Sequence, residues 1–264
     1  MTVEQSLMVA SDALGDTDAL RGMIEEHGYL YFQGLVPKET VLEVRKDILE
    51  LCQDAGWLDP DAPLMEGVWS GKGASIEGEP EYMAVYRRVL ELPSFEALPY
   101  HPALMGLMER LLGGEVLAHP RKIGRITFPT RQEESTPPHQ DFPLIKGATR
   151  TYTLWMPLGA CPRSLGGLAI LAGSNQSGYR EHIPMRGTGG TGVVLGEEVE
   201  WHSSDMKAGD CLLFHSHTVH KALPNNSGKY IRVSADNRYQ LASDDVDPSS
   251  LLPHFAGWWD EHES

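Results

Sequence analysis

The stretch GDCLLFHSHTVHKALPNNSGKYIRVSADNRYQ, residues 209–240, contains the pattern that decides the fold of this chain. A Gly-Asp turn leads into an apolar strand, Cys211 to His215, and a Pro-Asn loop leads into a returning strand, Tyr230 to Tyr239. Apolar and polar residues alternate along the returning strand, so Arg232 and Ser234 share its polar face. We therefore expect two strands of a β-rich core, with Arg232 and Ser234 lining a cavity.

Further short β-like runs, bounded by Gly, Pro and Asn, lie upstream of this stretch. They are Glu115 to His119, Lys122 to Phe128, Thr151 to Pro157 and Leu168 to Leu171. Because no helical pattern separates them, they predict a β-sandwich or a double-stranded barrel.

The first third of the chain has a mostly helical pattern. Predicted helices cover Asp18 to His27, Pro37 to Ala55 and Pro102 to Leu112, and a short strand covers Tyr29 to Phe32. Such helices, gathered ahead of the strands, are expected to buttress one sheet. Between them, the Gly-, Pro- and acid-rich run from Leu58 to Pro80 is predicted to be a long loop, which serves either as a lid or as a solvated connection.

The chain has 264 residues, a hydrophobic fraction of 41% and a charged fraction of 22%, which suit one sizeable core. We expect a single domain over residues 1–264. Its helical part spans about 1–114, its β core about 115–240 and its tail about 241–264.

The composition also argues against several classes of partner. A net charge of −15 disfavours nucleic acid and anionic membranes. The three cysteines are widely spaced, so neither a disulfide framework nor a zinc knuckle is expected. The N-terminus lacks the pattern of a signal peptide, and no apolar run is long enough to span a bilayer. We expect a cytoplasmic protein that acts on a small molecule, as a monomer or a dimer.

The heptapeptide PPHQDFP, residues 137–143, contains a potential pair of metal ligands. On an extended backbone the side chains of His139 and Asp141 leave the same face. With one more imidazole from a distant strand they would form the two-histidine, one-carboxylate set of non-haem Fe(II) oxygenases. This set leaves three coordination positions open, which is what molecular oxygen and a bidentate keto acid need.

Three histidines of the decisive stretch compete for the third ligand position: His215, His217 and His220. His215 and His217 lie in or just after the apolar strand and suit core or supporting roles. His220 begins the loop that returns to Arg232, and we predict that it is the ligand. The Arg232 guanidinium can bind a carboxylate through two parallel hydrogen bonds, although a surface ion pair is the alternative in so acidic a chain.

Taken together, the motifs of this chain resemble those of the phytanoyl-CoA dioxygenase family of Fe(II)/2-oxoglutarate oxygenases, and within it the bacterial natural-product hydroxylases. The resemblance covers most of the chain. Its motifs are EEHGYLYFQGLV (25–36), GRITFP (124–129), PPHQDFP (137–143), TLWMPL (153–158), SLGGLAILAGSN (164–175), GDCLLFHSHTVHKALPN (209–225) and RVSADNRYQ (232–240).

The resemblance implies a double-stranded β-helix of the jelly-roll, cupin-like type, mainly β with flanking N-terminal helices. It also implies that His139, Asp141 and His220 hold Fe(II), with 2-oxoglutarate and molecular oxygen as cosubstrates. Arg232 would bind the distal carboxylate of 2-oxoglutarate, with Ser234 beside it, and Arg125 and Trp155 would line the same pocket.

One departure concerns Ala222, because relatives often place at this position a serine that hydrogen-bonds 2-oxoglutarate. A neutral hydrogen bond contributes on the order of 1 kcal/mol, less than a charge-assisted arginine pair. The presence of Asp141 favours hydroxylation, since halogenases of this class replace that carboxylate with a small residue.

The expected reaction is therefore hydroxylation of an unactivated C–H bond in a small or medium-sized natural product or lipid-like molecule, with release of succinate and carbon dioxide. Three alternatives stay open. They are a desaturase or epoxidase of the same mechanism, a cupin-like metalloenzyme that does not use 2-oxoglutarate, and a non-catalytic ligand sensor.

The sequence does not identify the substrate. Candidate walls or lids are the loop Leu58 to Pro80, the segment His182 to Trp201 and the C-terminal PHFAGWWDEHES with its tandem Trp258 and Trp259. Basic residues that could bind an acidic substrate group are Arg121, Lys122, Arg150 and Arg180.

Overall fold

A computed structural model describes residues 3–130, 132–196 and 199–257 of the chain. Its strands are β1 Val3–Gln5, β2 Tyr29–Phe32, β3 Val116–Ala118, β4 Ile123–Thr127, β5 Tyr152–Pro157, β6 Leu168–Leu171, β7 Ile183–Pro184, β8 Thr191–Gly192, β9 Glu200–His202, β10 Cys211–His215, β11 His220–Ala222 and β12 Arg232–Leu241. Its α-helices are α1 Thr17–His27, α2 Lys38–Asp54, α3 Pro80–Leu90, α4 Pro93–Ala97, α5 Pro102–Leu112 and α6 Phe142–Ile145.

Two sheets form the β core. The larger has the order β2-β10-β5-β12-β3, and β4 also pairs with β12. The smaller has the order β1-β9-β6-β11. A separate two-stranded ribbon joins β7 and β8. The β core is thus a double-stranded β-helix that is not closed into a barrel.

The large sheet buries both of its faces because its strands are apolar on both sides. On one face Leu154 and Leu213 pack with the helices. On the other, Trp155 and Phe214 pack against Ile170 of the small sheet. The molecule therefore has three layers, which are helices, the large sheet and the small sheet. The functional side chains lie between the two sheets.

The predicted helix α2 buries the face that its apolar spacing indicated. Val41, Val44 and Ile48 are almost fully buried in the core that the helices share with the large sheet. Helix α1 is capped by Asp16, whose carboxylate accepts a hydrogen bond from the backbone N–H of Ala19. It ends at Gly28, whose positive φ of 78° suits glycine. The prediction that the N-terminal helices buttress one sheet is confirmed.

The elements that the pattern did not predict are short or follow proline. Helices α3 and α4 begin at Pro80 and Pro93, where proline occupies the first helical turn. Strands β1, β7, β8, β9 and β11 have two or three residues each, too few to display an alternation. Strand β1 pairs in parallel with β9, a contact between distant parts of the chain.

The predicted loop from Leu58 to Pro80 is hydrogen-bonded, near its middle, to the segment that precedes β12. The backbone N–H of Trp69 donates to the carbonyl of Lys229, and that of Ile231 donates to the carbonyl of Gly67. The loop therefore runs beside the residues that lead into β12. Within the part of the chain that the structure describes, no helix has both the length and the apolar character needed to cross a bilayer.

Leu154 tests the packing of the large sheet. It is fully buried and is paired with Leu213 of β10 on one side and Asn237 of β12 on the other. Replacing it with alanine should lower the free energy of unfolding by about 2–5 kcal/mol, since a cavity is left in the core. Chemical denaturation measures this change. Val194→Ala, at a position that is 69% exposed, is the control, and equal effects of the two variants would contradict the layer arrangement.

Candidate metal centre

Three side chains that can hold a metal ion converge between the two sheets: His139, Asp141 and His220. Their ligand atoms all lie within 4.8 Å of one another. Asp141 Oδ1 lies 3.8 Å from His139 Nε2 and 3.9 Å from His220 Nε2. Two nitrogen ligands and one oxygen ligand, in this compact arrangement, match the donor set of a non-haem iron site.

Backbone hydrogen bonds bring the two histidines together. The N–H of His139 donates to the carbonyl of His220, and the N–H of His220 donates to the carbonyl of His139, both at 2.9 Å. His220 is the first residue of β11, which pairs with β6 through Ile170. The small sheet thus determines where the segment that contains His139 and Asp141 is attached.

The orientation of each imidazole leaves Nε2 available to a metal. His139 Nδ1 lies 2.8 Å from the carbonyl oxygen of Pro137, and His220 Nδ1 lies 3.0 Å from that of Thr218. A carbonyl can only accept, so Nδ1 holds the proton and Nε2 has the free lone pair. Burial lowers the pKa of His139 to about 3, which keeps its ring neutral at physiological pH.

The conformation of Asp141 differs from the predicted extended strand. Its φ of −73° and ψ of −28° are helical, and it immediately precedes helix α6. The backbone turns into α6 at Asp141, whereas His139 lies in a β-bridge with His220. The two side chains meet, as the His-x-Asp spacing predicted.

The carboxylate of Asp141 is held from the side opposite the imidazoles. Thr153 Oγ1 donates to Asp141 Oδ2 at 2.5 Å, and Arg238 Nη2 lies 3.5 Å from the same oxygen. Burial by itself raises the pKa of Asp141, but the charge of Arg238 and the hydrogen bond from Thr153 hold that pKa below its ordinary value. Asp141 is therefore an ionised carboxylate, with Oδ1 directed toward the histidines.

Gln140, between the two ligands, is fully buried and anchors the turn. Its amide nitrogen donates to the carbonyls of Gly178 and His217, and its amide oxygen accepts from the backbone N–H of Arg180. These three hydrogen bonds turn Gln140 away from the ligand cluster while its neighbours face inward. In the sequence analysis, Gln140 was only the residue that separates the two potential ligands.

Arg232 is 3% exposed, so the alternative of a surface ion pair is wrong. Its Nη2 donates to Thr127 Oγ1 at 2.6 Å, and its Nη1 donates to Ser234 Oγ at 3.2 Å. Its guanidinium carbon lies 5.8 Å from the centre of the Trp155 ring. Arg232 and Ser234 therefore share a face, as the alternation predicted.

These residues line one small cavity between the two sheets. The cavity contacts every residue that the sequence proposed for the metal or the cosubstrate except Ser234. It is lined by Arg125, Thr136, His139, Asp141, Trp155, Leu168, His220, Ala222, Arg232, Asp236 and Arg238.

Arg125 lies at the boundary of this cavity with two carboxylate partners. Its Nη1 is 2.5 Å from Glu77 Oε2, and its Nε is 3.6 Å from Asp236 Oδ2. Burial lowers the pKa of Arg125, but the charges of Glu77 and Asp236 outweigh this effect and raise it, so the guanidinium is charged.

The competing histidines lie elsewhere. His215 packs edge-on against Tyr152, and burial lowers its pKa to about 4. His217 packs against Phe142. Both therefore have the core or supporting role that was the alternative to ligation, and His220 is the histidine that joins His139 and Asp141.

The four basic residues considered for an acidic substrate group make contacts outside the cavity. Arg121 donates to the carbonyl of Leu144, Lys122 pairs with Glu96, Arg150 donates to the carbonyl of Leu112 and Arg180 donates to Ser177 Oγ.

Parts of the candidate walls reach the site. Ser75, Ile76 and Glu77 of the long loop, and Thr188 of the segment His182 to Trp201, line a second cavity that shares Arg125, Thr136, Ala222 and Arg232 with the first. Trp258 and Trp259 lie outside the described residues.

The sequence pattern missed Arg238, Asp236, Thr153, Gln140 and Glu77. A signal existed for three of them. Asp236 and Arg238 continue the period-two face of Arg232 along β12, and Thr153 lies two residues before Trp155 on β5. The loop residue Glu77 had no periodic signal, since only the folded loop brings it to Arg125.

Comparisons with known proteins agree with this geometry. The family model for phytanoyl-CoA dioxygenase (PhyH) matches residues 24–234. A 1-deoxypentalenic acid 11-beta-hydroxylase from Streptomyces arenae is 30% identical over 259 residues, which cover 91% of this chain and 87% of the relative.

Solved structures support the same fold. The epimerase SnoN, in complex with Fe3+, alpha ketoglutarate and nogalamycin RO, has a TM-score of 0.65 at 19% identity, covering 89% of this chain and 87% of SnoN. The alpha ketoglutarate-dependent carbocyclase SnoK from nogalamycin biosynthesis has a TM-score of 0.60 at 19% identity, covering 86% and 85% of the two chains. The prediction of a double-stranded β-helix with flanking helices is confirmed.

The ligand set can be tested by metal binding. The variants His139→Ala, Asp141→Ala and His220→Ala should each weaken Fe(II) binding by at least about 100-fold, since each removes one of three donors. Anaerobic titration calorimetry measures the affinity. His215→Ala and His217→Ala are matched controls from the same stretch and should keep the wild-type affinity. Loss of binding in a control, with retention in His220→Ala, would reassign the third ligand.

Proposed function

The chain belongs to the phytanoyl-CoA dioxygenase family, and we propose that it hydroxylates an unactivated C–H bond of a small or medium-sized natural product or lipid-like molecule. In this reaction 2-oxoglutarate is converted to succinate and carbon dioxide. The observation that supports the proposal most directly is the shared cavity, in which the His139, Asp141 and His220 cluster faces the buried guanidinium of Arg232.

The donor set of the cluster fits iron. Both histidines have Nδ1 hydrogen-bonded to a backbone carbonyl, which turns Nε2 toward the cluster, and the pKa of Asp141 is held low, so that residue offers an anionic oxygen. When bound, iron and 2-oxoglutarate supply the oxygen activation that no side chain of the protein can perform. The chain itself binds, orients and shields the reactants.

Arg232 suits the distal carboxylate of 2-oxoglutarate. Thr127 and Ser234 hold its guanidinium in place, and it is buried at the cavity wall without a carboxylate partner among its described hydrogen bonds and ion pairs. A buried cation of this kind favours a buried anion strongly. Trp155 and Leu168 provide apolar walls that exclude water, and Ala222 presents a methyl group where relatives often have a serine hydroxyl.

The second candidate function uses the same iron and 2-oxoglutarate chemistry but ends in a different product. SnoN and SnoK are named an epimerase and a carbocyclase, although each is described with alpha ketoglutarate. This variety supports desaturation or epoxidation as the alternative to hydroxylation here. An enzyme without 2-oxoglutarate would have no use for the buried Arg232, and a ligand sensor would not need three convergent metal ligands.

We expect a small-molecule substrate from secondary metabolism rather than an acyl-CoA, since the sequence has no evident basic patch for a nucleotide phosphate. We further propose that residues 1–264 form one domain that works in the cytoplasm, as a monomer or dimer, without a nucleic acid or membrane partner.

Arg232 provides the test of cosubstrate use. Anaerobic addition of Fe(II) and 2-oxoglutarate to the wild-type protein should produce a visible charge-transfer band. Arg232→Met should raise the dissociation constant for 2-oxoglutarate by about 10- to 100-fold, because a charge-assisted pair is lost. Fe(II) affinity should not change. The control is Lys229→Met, which removes an exposed charge nearby, and an unchanged dissociation constant in Arg232→Met would move the role elsewhere.

The reaction itself can be tested with a metabolite panel of terpenoid acids, terpenoid alcohols and polyketides. The iron-loaded protein should release succinate in a substrate-dependent manner, and the product should gain one oxygen by mass. A loss of two hydrogens would identify a desaturase instead. Product formation that does not need 2-oxoglutarate would support the enzyme class without a keto acid.

A further inference from the structure

The carboxylate of Glu77 reaches from the long loop into the candidate site. Its Oε2 lies 2.5 Å from Arg125 Nη1, and its side chain is 10% exposed. Neighbouring hydrogen bonds of the loop are local, since Ser75 Oγ and the N–H of Ile76 both donate to the carboxylate of Glu79. Glu77 differs from them because it connects the loop to β4 of the large sheet.

Arg125 holds a second carboxylate at the same time. Asp236 Oδ2 lies 3.6 Å from Arg125 Nε and is buried without a hydrogen-bond donor. Burial raises the pKa values of both Glu77 and Asp236, while the charge of Arg125 opposes that rise. Arg125 thus already has two carboxyl neighbours in a site that is largely shielded from water.

A third carboxylate at Arg125 would be electrostatically unfavourable. Arg125 lines both the cavity of the metal cluster and the adjoining cavity that Glu77 helps to form. A dianion such as 2-oxoglutarate, when it enters this space, brings a further negative charge toward Glu77 and Asp236. Like charges at close range in a poorly solvated site repel strongly, so the ligand and one of these carboxylates compete for Arg125.

The two carboxylates differ in their freedom to move. Asp236 lies within β12, which is paired with β4 on one side and β5 on the other. Glu77 lies in a segment that contains Gly71, Gly73 and Gly78, all at positive φ. The space around Gly71 and Gly78 is open, so these two glycines can act as hinges, while Ala74 packs on the core and Ser75 is buried between them. Glu77 is therefore the carboxylate that can leave.

We propose that Glu77 is an internal stand-in for a carboxylate of 2-oxoglutarate, which displaces it from Arg125 and thereby releases Ser75, Ile76 and Glu77 from the adjoining cavity that they line. The inference rests on the proposed function, since it requires 2-oxoglutarate to bind in this cavity. The second half of the loop from Leu58 to Pro80, from residue 71 onward, then acts as a lid. Its movement is coupled to cosubstrate binding.

Affinity for 2-oxoglutarate tests the competition. Glu77→Gln keeps the size of the side chain and removes its charge, so the dissociation constant measured from the anaerobic Fe(II) charge-transfer band should fall on the order of tenfold. Glu66→Gln makes the same change at an exposed position of the same loop and should leave the constant unchanged. Weaker binding by Glu77→Gln would show that Glu77 positions Arg125 for the ligand, and equal binding would show no competition. Either result overturns the proposal.

Amide hydrogen exchange tests the release independently of affinity. In the wild-type protein, exchange of residues 71–79 should become faster when Mn(II) and 2-oxoglutarate are added. In Glu77→Gln it should already be fast and should not respond. Slower exchange of this segment in the ligand-bound wild type, or no change, overturns the proposal. If the wild type forms no charge-transfer band at all, the proposed function fails; if the band forms and only these effects are missing, the inference alone fails.

Discussion

The reciprocal backbone pair between His139 and His220 is the interaction on which the rest of the site depends. These residues are far apart in sequence, and their two hydrogen bonds bring the imidazole rings to 4.2 Å between centroids. The pair attaches the segment with Asp141 to the edge of the small sheet beside β11. Because Arg232 begins a strand of the opposite sheet, the distance between metal cluster and cosubstrate pocket follows from how the two sheets pack.

Charge pairing is the second constraint, because the site buries several ions between apolar sheets. Asp141 is matched by Arg238, and Arg125 is matched by Glu77 and Asp236. A buried charge is tolerated only when a partner offsets the loss of hydration. Arg232, by contrast, lines the cavity next to the metal cluster and has hydroxyl groups, not a carboxylate, as its described hydrogen-bond partners. This arrangement suits an anionic ligand in the cavity.

How well the sequence predicted an element depended on the length of that element and on its hydrophobic period. The bounds of β2, β6 and β10 and of helix α5 matched the apolar runs, because each has enough residues to show its pattern. Helix α3 and the three-residue strands β1, β9 and β11 had no such pattern. The backbone at Asp141 is helical rather than extended, because helix α6 begins at the next residue.

The sequence by itself determined the chemistry, since the residue types of His139, Asp141, His220 and Arg232, with the alternation along β12, suffice to predict a metal cluster and a carboxylate partner. The family resemblance added Arg125 and Trp155. Only the tertiary structure decided that Gln140 anchors the segment between the two ligands, that Arg238 supports Asp141, and that Glu77 meets Arg125. The physical reason is that these contacts join distant segments, whereas periodicity records only which face of its own element a residue occupies.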